Sequence, residues 1–381
     1  MSKHLDLMTT ISGEPINTVE EWAYFRRPEI ISLFEMFVYG IRPCETPENL
    51  TFQQKFYAQN WMESGATFKE IDIGVNNHHF PVYIFVPEHV EGPAPAFTVI
   101  MGELRVLKYD FYKSLDYPHL PIRDIVKRGY AVAVMPTNAV SPDWWLSGEF
   151  KHGVFHAMQP NASLRTSRSW ATISAWAFGA SRVMDYLETD PQIDSRNVAV
   201  IGHSRDGKTA LWTAATDIRF KLPISNDSGC GGAAHQRSKK GERLVDISIS
   251  DWFCGNYYRY NSCEKMLPVD QHMLLATIAP RPMYIKSNIE DYGADPDAEF
   301  YSAKLASPAY ELFGLPGLIA DEKAELNKPY HDGMIAYHVA PGGHDMNTAD
   351  WHMYMDFADK HLKTPGFFNK GLDTAKGTRH E

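Results

Sequence analysis

Val198-Ala-Val-Ile-Gly-His-Ser-Arg-Asp-Gly-Lys208 is an apolar run that stops at glycine, turns through His203 and Ser204, and opens onto TALWTAAT, a helical continuation. In a strand-to-helix turn of this kind, small residues let the backbone reverse sharply and push the serine hydroxyl out at the carboxyl edge of a sheet. Ser204 is therefore the candidate nucleophile. The common spacing Gly-x-Ser-x-Gly is incomplete, because Asp206 stands where the second glycine belongs and Gly207 follows one place later. Alone this is a weak motif, and the segments around it decide its meaning.

Working outward, short apolar runs alternate with helical stretches. Upstream lie FTVIMG, a helical piece with Ile122, Ile125 and Val126, AVAVMP at Ala131–Pro136, and a long buried-looking helix from Ser169 to Asp190. Downstream lie LPISN at Leu222–Asn226, PMYIKS at Pro282–Ser287, IAYHVAP ending at Pro341, and a last helix, DWHMYMDFADKHL. This order predicts a three-layer α/β/α sandwich on a mostly parallel central sheet. TFKEIDIGV and HFPVYIFVPE read as a hairpin at the sheet edge. Residues 1–60 are expected to form a helical lead-in, with Trp22, Phe25, Ile30, Leu33, Phe34 and Phe37 at helical intervals and a new helix start at Pro28. Residues 365–381 read as a loosely packed tail, and 1–381 as a single domain without repeats.

Composition narrows the function. With 47 acidic against 37 basic side chains in 381 residues, the net charge is −10. Nucleic acid and anionic membrane need a Lys/Arg excess, so neither is an expected partner. No stretch approaches the roughly 18 apolar residues of a membrane span. The opening MSKHLDLMTTISGEP has no signal-peptide pattern, so either a cytoplasmic protein or one whose signal has been removed is expected. Cys44, Cys230, Cys254 and Cys263 form no Cys-x-x-Cys pair, which speaks against a zinc site or a disulfide scaffold.

Chain order strengthens the serine. The α/β-hydrolase fold delivers serine, then an acid after a late strand, then histidine after the last one. PMYIKS is followed by Asn288-Ile-Glu-Asp291, and IAYHVA by Pro341-Gly-Gly-His344-Asp345. Ser204, Asp291 and His344 thus occupy the expected element ends, with Glu290, Asp295 and Asp227 as competing carboxylates. A serine hydroxyl becomes a good nucleophile when an imidazole takes its proton and a carboxylate stabilises the resulting imidazolium. Such chemistry needs neither metal nor cofactor.

These residues resemble a known family. Gly202-His-Ser-Arg-Asp-Gly-Lys208, SNDSGCGGAA (Ser225–Ala234), Gly241-Glu242, LPVDQHML (Leu267–Leu274), APRP (Ala279–Pro282) and GGHD (Gly342–Asp345) look like carbohydrate esterase family fifteen, the glucuronoyl esterases. The likeness runs from about Trp22 to about Leu362, and the late second glycine is normal in that family. It implies Ser204 as nucleophile, His344 as general base and Arg205 as a cation aimed at the developing oxyanion, with Lys208 and Glu242 on the sugar hydroxyls. The family places its acid in one of two ways, and a carboxylate stands at both, Asp227 and Asp291; the late loop favours Asp291.

Two departures bear on substrate. Many relatives carry Trp two positions after the late acid, whereas here the loop reads Asp291-Tyr292-Gly293, leaving Tyr292, Trp252, Trp144 or Trp145 to supply a stacking face. Asp206 sets a negative charge beside the serine: turned inward it weakens anion binding, turned outward it caps the helix start. Cys230 and Cys254 either pair or remain buried thiols. The implied activity is hydrolysis of 4-O-methyl-glucuronic acid esters joining glucuronoxylan to lignin, by a monomer acting through an acyl-enzyme. An acetyl-xylan or other carbohydrate esterase, and a binding protein without turnover, are the alternatives; a serine peptidase is disfavoured.

Overall fold

The computed structural model describes residues 4–43, 46–102, 111, 113–143 and 150–363. One nine-stranded sheet runs through it. Its strands are β1 (Leu50–Ala58), β2 (Ala66–Val75), β3 (His78–Pro87), β4 (Ala94–Met101), β5 (Ala131–Pro136), β6 (Ile193–His203), β7 (Phe220–Asn226), β8 (Met283–Asn288) and β9 (Ile335–Ala340). Across the sheet they stand in the order β1-β2-β3-β5-β4-β6-β7-β8-β9. The first three pair antiparallel and β3 joins β5 antiparallel; from β5 to β9 every pairing is parallel.

The alternation read in the strands sorts side chains onto two faces, both covered. Val198 and Val200 of β6 join one buried cluster, with the helices α1 (Arg27–Phe34), α3 (Thr172–Leu187), α4 (Arg205–Thr216) and α5 (Gln271–Ala276). Ala199 and Ile201 join the other, with α2 (Ile122–Lys127) and α7 (Thr348–Leu362). α3 is buried at every residue except Asp185 and Tyr186, with Thr172, Ser174, Ser181 and Arg182 enclosed among its apolar residues. A further helix, α6 (Pro296–Leu305), follows β8. Parallel strands joined by covering helices bring their carboxyl ends to one edge, where ligand sites of open α/β sheets form.

Two expectations are corrected. The lead-in is not helical throughout, because Leu50–Ala58 forms β1 and displaces the β2–β3 hairpin from the sheet edge. Its LTFQQKFYA sequence has no fully buried residue and a register break between Gln54 and Phe56, so the strand lacks the apolar alternation that marks its neighbours. Nor does Pro28 start a separate helix. Residues 19–39 run on helically, with a π turn over Trp22–Arg26 in which the Arg27 N–H reaches back to the Trp22 carbonyl. That wider turn carries the chain past a ring that has no N–H to give. Cys44, Trp144, Trp145 and the tail 365–381 lie outside the described residues.

Candidate active site

Ser204 sits between β6 and α4 at φ 61, ψ −129, a conformation uncommon for a residue with a side chain. Two bonds hold it there: its N–H donates to the Asn226 carbonyl at 2.8 Å, and its carbonyl accepts from the Lys208 N–H at 3.1 Å. The turn is so tight that a Cβ on Gly202 would stand 2.1 Å from the Asp206 carbonyl oxygen. A Cβ on Gly207 would meet the Gly202 oxygen at 3.0 Å and the Asn226 oxygen at 3.2 Å. The late second glycine is thus the position where helix and strand touch. Position 206 has a different duty: Asp206 is buried, and its Oδ2 accepts the Gly102 N–H at 3.1 Å, tying the end of β4 to the first turn of α4.

His344 lies on the loop after β9 and Asp291 on the loop after β8, and they meet with His344 Nδ1 2.5 Å from Asp291 Oδ2. The Asp291 side chain is 8% exposed and that of His344 45%. Burial works to raise the Asp291 pKa, but the hydrogen bonds from His344 and the Ala294 N–H outweigh it and hold the carboxyl below its usual range. The His344 ring packs on His203, the residue before Ser204, with centroids 4.4 Å apart.

Asp227 is close to this pair but turned to other work. Its Oδ1 accepts the Asn288 N–H at 2.6 Å. Its Oδ2 takes Asn226 Nδ2 at 2.8 Å, Asn288 Nδ2 at 2.6 Å and Lys286 Nζ at 3.3 Å. The same three nitrogens also donate to the Asp345 carbonyl, at 3.1, 2.7 and 2.7 Å. Three donors shared with the buried Asp227 carboxylate therefore hold the carbonyl of Asp345, the residue that follows His344. Burial pushes Asp227 up to about 6 against the pull of Lys286. No spacing rule singles out Asn226, Lys286 or Asn288; only the register, which sets Asn226 beside both His203 and Lys286, brings them together.

The first turn of α4, directly after Ser204, carries the cations. Arg205 is one-third exposed, its Nε 2.8 Å from Asp143 Oδ2. Lys208 is buried, donates from Nζ to the Ser228 carbonyl at 2.7 Å, and has its pKa lowered by burial while the charge of Glu242 opposes that shift. Trp252 is nearly buried and donates from Nε1 to Asp143 Oδ1 at 2.8 Å. Its ring lies 5.5 Å from the Arg205 guanidinium and 5.6 Å from the Lys208 ammonium. The Glu242 N–H donates to the Gly293 carbonyl at 2.9 Å, and a Cβ on Gly241 would come within 2.1 Å of the Tyr292 oxygen. Those contacts seat the Gly241-Glu242 pair on the acid's loop, where Tyr292 stands 77% exposed.

Away from this edge, His235, Asp270 and His272 bring ligand-type atoms within 4.8 Å of one another. The Asp270 carboxylate is already saturated: Oδ1 accepts the N–H groups of Gln236 and Gln271, and Oδ2 those of the Arg237 backbone and guanidinium. That cluster is structural. Cys230, Cys254 and Cys263 are free thiols, so Cys230 and Cys254 do not pair.

The sheet order and the serine elbow define an α/β-hydrolase. The family model described as fungal glucuronyl esterase matches residues 71–314. A carbohydrate esterase from an unknown prokaryotic organism is 33% identical over 94% of this chain and 89% of its own length. 4-O-methyl-glucuronoyl methylesterase 1 of Wolfiporia cocos is 35% identical over 80% of this chain and 70% of its own. Among solved structures, the glucuronoyl esterase of Solibacter usitatus superposes with a TM-score of 0.87 at 32% identity, covering 95% of this chain and 98% of that one. A promiscuous family-fifteen esterase from a marine bacterial metagenome gives 0.82 at 34%, covering 94% and 97%. The chain belongs to the glucuronoyl esterases, carbohydrate esterase family fifteen, and is a carboxylic ester hydrolase.

Proposed function

We propose that this protein hydrolyses esters of glucuronic or 4-O-methyl-glucuronic acid through an acyl-enzyme on Ser204. The observation that carries the reading is the His344–Asp291 pair on the loops beside a strained serine. Ser204 Oγ attacks the ester carbonyl while His344 Nε2 takes its proton, and the Nδ1–H donated to Asp291 stabilises the imidazolium. The carbonyl oxygen, now negative, faces Arg205 and backbone N–H donors. Collapse breaks the ester C–O bond, and the alcohol leaves with the proton from His344. Water, deprotonated by the same imidazole, then releases the uronic acid and restores Ser204.

Asp291 is the acid in this reading and Asp227 the anchor of the histidine loop, which the three shared donors on the Asp345 carbonyl support. Lys208 supplies a buried ammonium and Glu242 a carboxylate to sugar hydroxyls. Tyr292 offers the open aromatic face, whereas Trp252 stands behind the two cations. The nine-stranded sheet, which draws strands from Leu50 to Ala340, supports one catalytic domain across the described chain.

The test compares kcat/KM on methyl or benzyl glucuronate with deacetylation of acetylated xylan. Preference for the uronate esters is expected; preference for the acetyl groups overturns the substrate assignment.

A further inference from the structure

Asp143 has no part in proton transfer, yet its two oxygens are divided between the two side chains that shape the cationic wall. Oδ2 lies 2.8 Å from Arg205 Nε and Oδ1 accepts Trp252 Nε1 at 2.8 Å. The carboxylate is 9% exposed, so water screens the pair weakly. The approach to Arg205 is close in distance but off the N–H direction, an ion pair more than a directed hydrogen bond. Each partner is tethered by its own element. Asp143 is fixed by its N–H to Asn138 Oδ1 at 2.9 Å, Trp252 by its carbonyl to the Ile173 N–H at 3.2 Å, and Arg205 by its place in the first turn of α4. Arg205 Nη2 comes within 3.9 Å of where a Cβ on Gly102 would stand, at the end of β4.

An arginine beside a nucleophile has several rotamers, and most point its charge into solvent. We propose that Asp143 is a positioning residue: its carboxylate locks the Arg205 guanidinium and the Trp252 indole into one unit, so the cation is already in place when the oxyanion forms. This deepens the reading of Arg205 given above and rests on it. The pairing through Nε leaves the two terminal nitrogens of the guanidinium to face the developing charge. Preorganised charge acts without reorganisation during the reaction, so its loss appears in kcat rather than in ground-state binding. Both neighbours of Asp143 are donors, so asparagine cannot replace it, because its amide NH2 would face one of them. Glutamate keeps two acceptors.

The test uses Asp143→Asn, Asp143→Glu, Arg205→Ala and the double variant D143N/R205A on benzyl glucuronate, with melting temperatures of all four. D143N is expected to lower kcat by up to about a hundred-fold, the lower end of the effect of losing one oxyanion donor outright, because Arg205 is displaced and not removed, with KM changed less than about twofold. D143E should recover part of the loss, and the double variant should be no slower than R205A alone. A D143N protein with wild-type kcat, or penalties that multiply in the double variant, overturns the proposal. Should R205A itself keep wild-type kcat, the oxyanion role of Arg205 fails instead. The positioning claim is then decided without turnover, by the crystal structures of wild type and D143N. Displacement of the guanidinium from its place near Gly102 supports it, and an unmoved guanidinium refutes it.

Discussion

At the scale of single residues, two carboxylates stand beside one histidine, and their surroundings separate them. Asp291 spends an oxygen on His344 Nδ1, while Asp227 spends both oxygens on amides and Lys286. Asp291→Asn should therefore lower kcat by about 10⁴, the size of the effect when a triad acid is neutralised. Asp227→Asn should cost far less in kcat and register chiefly as lost stability, about 2 kcal/mol for an amide set among donors. Steady-state kinetics and urea unfolding of the two variants check this, and a larger kcat loss in D227N would reverse the assignment. Lys286 is wholly buried between Asp227 and Asp350, with Nζ 3.3 and 3.5 Å from their oxygens. Lys286→Met removes the buried counter-charge that the two carboxylates share, although their amide and histidine partners remain, and should destabilise the fold by about 3 kcal/mol, again read by urea unfolding.

At the scale of elements, the elbow is the part most fully written in the sequence. β6 alternates between the two buried clusters, the chain turns at Ser204, and α4 begins at Arg205. The displaced glycine, which weakens the motif on paper, has a steric cause in the contact of Gly207 with the Gly202 and Asn226 carbonyls. Gly202→Ala should be the worse of the two alanine changes, since its Cβ meets backbone at 2.1 Å against 3.0 Å for Gly207. A loss on the order of 3 kcal/mol is expected for Gly202 and less for Gly207, measurable by thermal unfolding. Less of the rest is legible. β1 is an edge strand with no fully buried residue, and the run Gln53-Gln-Lys55 interrupts its apolar pattern, so it carries no signal strong enough to distinguish it from a loop. Asp143 sits in SPDWW with no motif around it, and its partners lie 62 and 109 positions along the chain (205 − 143 and 252 − 143). Local spacing reports local geometry; contacts across that distance exist only once the sheet has set its strand order.

At the scale of the whole molecule, an acidic chain keeps its useful positive charge local, in Arg205 and Lys208 beside the serine. The same edge gathers buried acids. Glu299 is wholly buried, accepts from Ser228 and Ser287 hydroxyls and the Gly229 N–H, and is pushed up to about 8 by burial and then by the charge of Asp227. A carboxyl whose folded pKa is raised favours the folded state fully below its unfolded pKa, and that contribution is lost as pH rises through the folded value. For Glu299 the window runs from its ordinary value of 4.5 to about 8. Glu299→Gln should therefore gain in melting temperature relative to wild type as pH rises from 5 to 9. A constant gap across that range would show that Glu299 does not titrate there.

The architecture of sheet, elbow and loops converges on one chemical claim, that Ser204 forms the acyl-enzyme with a glucuronate ester. Alcohol release from benzyl glucuronate by wild type and by Ser204→Ala at equal concentration tests it most directly. The wild type should turn over while the alanine protein falls to the uncatalysed background. Equal rates from the two proteins would contradict the account.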